Sequence, residues 1–168
     1  MKKILFVCSG NTCRSPLAEG IARKILSDRI KTPIVVSSAG SSALEGMPAS
    51  QHAASVAQQH GIDLSSHRSR LLNTRAVREA DLIVTMGRKH KKTVGVIDPE
   101  ALSYTVLMTD FCDEKGDVPD PIGGDRTDYE RVYELINRCV EAMADQLEGY
   151  DGWKAARGKS SDSIRESS

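Results

Sequence analysis

Five apolar residues in a row, Ile4-Leu5-Phe6-Val7-Cys8, stop abruptly at Ser9-Gly10-Asn11. Such a run follows Lys2-Lys3 like the start of a secretory leader, but it is cut off too early for one and is far too short to cross a membrane. With no polar residue alternating through it, it reads as a strand covered on both faces, the pattern of a parallel sheet with helices on each side. A polar loop follows, then a helix from about Pro16, whose missing N–H costs nothing in a first turn. Leu17, Ala18, Ile21, Ala22, Ile25 and Leu26 form that helix's apolar stripe.

The same alternation continues. Ile34-Val35-Val36 reads as a second strand ending at Ser37-Ser38-Ala39-Gly40, and a helix is expected from near Pro48 to His60, stopped by Gly61. Ala76 to Ala80 predicts a short helix capped by Asn73 or Thr74, Leu82-Ile83-Val84 a third strand, and Ser103 to Leu107 a fourth. Asp110 to Arg126 reads as a long loop, and loops of that length inside a domain are often functional. Thr127 to Glu130 has the form of a capping box opening a last helix, with Val132, Leu135, Ile136, Cys139, Val140, Met143 and Leu147 as its stripe and Gly149 as its stop. The expected fold is α/β: a single open parallel sheet of about four strands, helices on both faces, and a polar loop after strand 1. Residues 1–157 form one domain, and 158–168, small and polar, a disordered tail. In such sheets ligands bind at the carboxyl ends of the strands.

Composition narrows the function. Among 168 residues, Lys plus Arg number 23 and Asp plus Glu 23, so no basic excess exists to hold a nucleic-acid backbone. Hydrophobic content of 39% and charged content of 27% fit a soluble globular protein with no membrane segment. Cys8, Cys13, Cys112 and Cys139 are too few for a disulfide scaffold, and no C-x-x-C pair suggests zinc. The chain is expected to be cytoplasmic, and in that reducing compartment a cysteine is either packed or reactive. Neither a metal nor a cofactor is expected.

The informative stretch is Cys8-Ser9-Gly10-Asn11-Thr12-Cys13-Arg14-Ser15-Pro16. A loop between a strand's carboxyl end and a helix amino terminus aims backbone N–H groups inward and makes an anion cradle. Gly10 and Asn11 tolerate the left-handed conformations such a loop requires. Arg14 adds a planar fork able to grip two phosphate oxygens. The same cradle stabilises a thiolate, so Cys8 is expected to act as a nucleophile without a histidine base, with Ser15 hydrogen-bonded to it. Neither G-x-x-x-x-G-K-[ST] nor G-x-G-x-x-G occurs, which excludes the two commonest nucleotide-binding loops. A phosphocysteine needs an acid for the leaving group. Asp120, in Val118-Pro119-Asp120-Pro121-Ile122-Gly123-Gly124, is the candidate, able to activate water afterwards.

Cys-x5-Arg-Ser near the amino terminus with a late Asp-Pro resembles the low-molecular-weight protein-tyrosine-phosphatase family. The resemblance runs from about residue 3 to 150 and includes Ser37-Ser38-Ala39-Gly40, Gly61 to Arg68, and Leu82-Ile83-Val84-Thr85-Met86. It implies Cys8 as nucleophile, Arg14 as phosphate clamp and Asp120 as general acid. It further implies that Ser9, Gly10, Asn11, Thr12, Cys13 and Ser15 make up the phosphate loop, with Asn11, Ser15, Ser38 and His67 forming its hydrogen-bond network. Phosphorylated proteins would be the substrates and inorganic phosphate the product, and the chain is expected to act as a monomer. The tyrosine-specific pattern places a bulky aliphatic residue where Thr12 stands and aromatic residues after the Asp-Pro, where this chain has Ile122 and Gly123. Thr12 and the Asp-Pro-x-Gly-Gly form resemble the bacterial protein-arginine-phosphatase branch. A hydroxyl can hydrogen-bond a guanidinium but offers nothing to a phenyl ring, so phosphoarginine is favoured and phosphotyrosine is the alternative. An arsenate reductase would need a relay of further thiols, and no cysteine lies between Cys13 and Cys112. A non-catalytic phosphate-binding module would not need Cys8, Arg14, Ser15 and Asp120 together.

Other residues have plainer readings. Cys13 is either filler or a trap for oxidised Cys8, the resemblance favouring the trap. Cys139 belongs to the last helix's apolar stripe, and Cys112 is an inert loop thiol. His52, His60 and His90 show no ligand spacing and are expected to face solvent. Arg88-Lys89-His90-Lys91-Lys92 reads as a solvated helix face. Asp110, Asp113, Asp117 and Asp125 either solvate the loop around Asp120 or attract a basic substrate segment.

Overall fold

The first apolar run becomes β1 (Lys2–Cys8), buried from Ile4 onward. The computed structural model describes residues 1–148. In it β1 pairs in parallel with β2 (Ile34–Gly40) on one side and β3 (Leu82–Thr85) on the other. β4 (Thr105–Leu107) pairs in parallel with β3, giving the order β2-β1-β3-β4. The chain thus steps one way from β1 to β2 and then crosses back to β3. Such a reversal opens a crevice beyond the carboxyl ends of the strands, and Cys8 sits there.

Alternation along β1 divides the core. Ile4, Phe6 and Cys8 pack with α1 (Arg14–Arg29), α2 (Gln51–Gln59) and α5 (Arg126–Leu147). Leu5 and Val7 pack on the opposite face with α3 (Thr74–Glu79) and α4 (Arg88–Ile97). Helices therefore cover both faces, as the unbroken apolar run requires. Among the described residues no helix is long and apolar enough to cross a membrane.

Boundaries move where side chains compete for helix ends. α1 begins at Arg14 rather than Pro16, so Arg14 and Ser15 belong to its first turn, and no side chain caps it at Cys13. α2 starts after Ser50, whose side chain accepts from the Ala53 N–H, and not near Pro48. Asn73, not Thr74, caps α3. β4 begins at Thr105 because Pro99–Tyr104 coils into a 3₁₀ turn. A second 3₁₀ turn, Met108–Cys112, occupies the start of the expected loop. The capping box of α5 is Asp125 with Asp128, not Thr127 with Glu130, because an aspartate two residues earlier already satisfies the free N–H groups. α5 closes with Glu148 as its cap, and the expected stop at Gly149, the domain limit at 157 and the tail all lie outside the described residues.

The Cys112 expectation is corrected. Cys112 and Cys139 are joined by a disulfide. Cys139 is fully buried on the α5 stripe as expected, but the second 3₁₀ turn packs against α5 and brings Cys112 onto it. Their 27-residue separation concealed that juxtaposition from local pattern.

Candidate active site

Cys8 ends β1 with 2% of its surface exposed. The Asn11 backbone N–H donates to its Sγ at 3.3 Å, and Ser15 Oγ lies 2.9 Å away. Asn11 Nδ2 donates to the same Ser15 Oγ at 2.8 Å, so the Ser15 hydrogen is left to point at the sulfur. Two donors thus converge on Sγ, the surroundings suited to a negatively charged sulfur.

Asn11 organises the loop. It is fully buried and adopts the left-handed conformation, with φ 55°. Gly10 does not share it, contrary to the sequence expectation; one αL residue suffices to turn the chain. Asn11 Nδ2 also donates to Ser38 Oγ at 2.9 Å, its Oδ1 accepts from the Arg70 N–H at 2.9 Å, and its carbonyl lies 2.7 Å from His67 Nε2. His67 Nδ1 in turn stands 3.8 Å from Glu19. Ser38 and His67 are therefore brought to the loop, as the resemblance implied. Gly40 allows it to nest against β2: a Cβ there would stand 2.4 Å from the Ser9 carbonyl oxygen and 2.9 Å from the Asn11 nitrogen.

Arg14 and Asp120 meet across the crevice. The Arg14 side chain is 5% exposed, donates to the Val118 carbonyl at 3.1 Å and stands 3.5 Å from Asp120 Oδ2. The Asp120 carboxylate is 41% exposed, and its Oδ1 accepts from the Ile122 N–H at 3.1 Å, a turn that aims the group over the loop. The Val118 N–H donates to the Met86 carbonyl at 2.8 Å and ties this segment to the end of β3. Thr12 is half-buried on the loop, and its carbonyl accepts from the Ser50 N–H at 2.8 Å. Ile122 is 63% exposed, followed by Gly123 and Gly124, so the wall beyond Asp120 is low and open.

Cys13 is a buried free thiol that donates to Ser50 Oγ at 3.3 Å and lies 3.6 Å from the Tyr129 hydroxyl. Burial raises the Tyr129 phenol above its ordinary range, and the contact with Cys13 adds to this. His90 does not face solvent. It is fully buried, with Nε2 2.9 Å from Ser9 Oγ. Burial, aided by the Arg14 charge, holds its pKa down at about 4. The basic run on α4 is thus solvated at Arg88 and Lys89, while His90 turns inward. His52 and His60 are exposed, although their rings lie 5.1 and 3.9 Å from those of Tyr129 and Tyr133. Of the loop aspartates, Asp117 accepts from the Arg88 N–H at the start of α4 and Asp125 caps α5, so both have structural tasks. Sequence reasoning missed Glu19, Ser50, Arg70, Tyr129, the inward turn of His90 and the close approach that requires Gly40. Only Gly40 carried a local signal, as a glycine closing a strand.

Residues 3–150 match the sequence pattern of the low molecular weight phosphotyrosine protein phosphatases. The low molecular weight protein-tyrosine-phosphatase Wzb of Salmonella typhi is 39% identical over 150 residues, covering 89% of this chain and 97% of that protein. Among solved structures, the YwlE arginine phosphatase from Geobacillus stearothermophilus superposes with a TM-score of 0.80 at 33% identity, over 88% of this chain and 93% of that one. The low molecular weight protein tyrosine phosphatase from T. tengcongensis does so with a TM-score of 0.82 at 34% identity, over 88% and 100%. Sequence and fold agree, and the chain belongs to the low molecular weight phosphotyrosine protein phosphatase family.

Proposed function

We propose that this protein is a metal-free, cysteine-dependent phosphatase of phosphorylated protein side chains, acting on phosphoarginine. The observation that carries the reading is the pair of donors on Cys8 Sγ, from Asn11 N at 3.3 Å and Ser15 Oγ at 2.9 Å, at the mouth of a loop flanked by Arg14. Cys8 attacks phosphorus in line with the leaving group. An S–P bond forms as the P–N or P–O bond breaks, and Asp120 gives its proton to the departing nitrogen or oxygen. The Asp120 carboxylate then takes a proton from water as that water attacks the phosphocysteine, releasing inorganic phosphate and the Cys8 thiolate. The loop amides and Arg14 hold the three non-bridging oxygens throughout.

Support for phosphoarginine comes from Thr12, a half-buried loop residue with a hydroxyl able to hydrogen-bond a guanidinium, and from the low wall at Ile122. Phosphotyrosine is the second reading, favoured by the tyrosine-phosphatase name of the 39% identical relative. Turnover measured side by side on a phosphoarginine protein and a phosphotyrosine protein tests the choice: a higher kcat/KM on phosphoarginine is expected, and the reverse order overturns it. Cys8→Ser tests the chemistry. Turnover should vanish on both substrates while phosphate or vanadate still binds, and residual turnover comparable to wild type would reject a covalent step.

A further inference from the structure

His90 stands in the first turn of α4 with no exposed surface, yet it reaches the phosphate loop through Ser9, the residue after Cys8. Its Nε2 lies 2.9 Å from Ser9 Oγ, and its Nδ1 is buried with no hydrogen-bond partner. A neutral imidazole carries one N–H. On Nδ1 that hydrogen would be a buried donor without an acceptor, a costly arrangement. On Nε2 it meets the Ser9 oxygen. The tautomer is thereby selected, and Ser9 Oγ becomes the acceptor. The Ser9 hydrogen is then free for a different acceptor, and the half-buried Ser9 borders the cradle. Of the charges around the ring, Arg14 and Lys89 disfavour the imidazolium while Asp117 and Asp120 favour it; burial outweighs the acids and keeps the ring neutral.

We infer that His90 is a positioning residue of the phosphate loop, whose Nε2–H holds the Ser9 hydroxyl as an additional donor to the phosphoryl group. This rests on the phosphatase reading for its ligand. His90→Leu keeps an apolar filler and removes the donor. It should lower kcat/KM by about 5- to 10-fold, the weight of one modest hydrogen bond, and weaken inhibition by inorganic phosphate similarly. His90→Gln, which can present an N–H to Ser9, should recover most of the loss. Ser9→Ala should match His90→Leu, and the double variant should be no worse than either single one, because both remove the same interaction. A histidine that only fills space would give losses that multiply and no rescue by Gln. Ser9→Ala leaves the His90 packing in place, so its loss is readable even if His90→Leu fails to fold. Unchanged kcat/KM in Ser9→Ala, or multiplicative losses, would overturn the assignment. If the wild-type protein turned over neither substrate, the phosphatase reading would fall. Calorimetry with inorganic phosphate would still decide between Ser9–His90 coupling and its absence.

Discussion

Asn11 commits every polar atom to the loop: N–H toward Cys8, amide to Ser15 and Ser38, side-chain carbonyl to Arg70, main-chain carbonyl to His67. Beside it, Thr12 keeps its side chain partly in solvent, so a change there alters the rim rather than the frame. Thr12→Ile should therefore shift the kcat/KM ratio toward phosphotyrosine by roughly tenfold or more, since an apolar wall suits a ring and leaves a guanidinium unpaired. An unchanged ratio would remove Thr12 from the specificity argument. The placement of Cys8, Asn11, Arg14 and Ser15 in one loop was legible because they lie within a single short stretch between a strand and a helix. Ser38 and His67 were legible only through resemblance. Arg70, Glu19 and His90 were not, because each acts through a contact made by folding, and a histidine within a basic run gives no local sign of turning inward.

Two elements place Asp120: the segment tied to β3 through Val118, and the amino end of α5, which fixes where the segment ends. Asp125 and Asp128 hold that end reciprocally, so Asp125→Ala should cost about 1 kcal/mol in urea unfolding. Asp120 itself is exposed, and an asparagine there keeps the side-chain oxygen that accepts from the Ile122 N–H. Asp120→Asn should thus leave stability nearly unchanged. It should slow phosphoarginine or phosphotyrosine far more than an aryl phosphate with a very good leaving group; equal slowing on all would dismiss it as the acid. The sequence showed α5 clearly through its apolar stripe but misplaced its cap by two residues. Thr-x-x-Glu and Asp-x-x-Asp are both acceptable boxes, and only the surrounding turn selects one.

For the whole molecule, the α/β architecture was readable because each buried strand and each amphipathic helix announces its own period. The Cys112–Cys139 bond was not, since it joins elements whose packing no local pattern specifies. Global stability should carry the mark of buried His90. Its folded pKa of about 4 lies below the ordinary 6.5, so the unfolded chain takes up the proton first as pH falls. The contribution is therefore full above about pH 6.5 and erodes toward pH 4, with about 2 kcal/mol lost by pH 5. Urea unfolding at pH 7 and pH 5 measures this, and His90→Gln should flatten the difference. One last consequence follows from the Arg14–Asp120 contact at 3.5 Å. The guanidinium and the carboxylate face each other, so an arriving dianion competes with Asp120 for Arg14. Once displaced, Asp120 faces a negative neighbour instead of a positive one. On the proposed chemistry, docking thus frees the Asp120 side chain to turn toward the leaving group in the same movement, and a ligand too weakly charged to evict it leaves that carboxylate on Arg14.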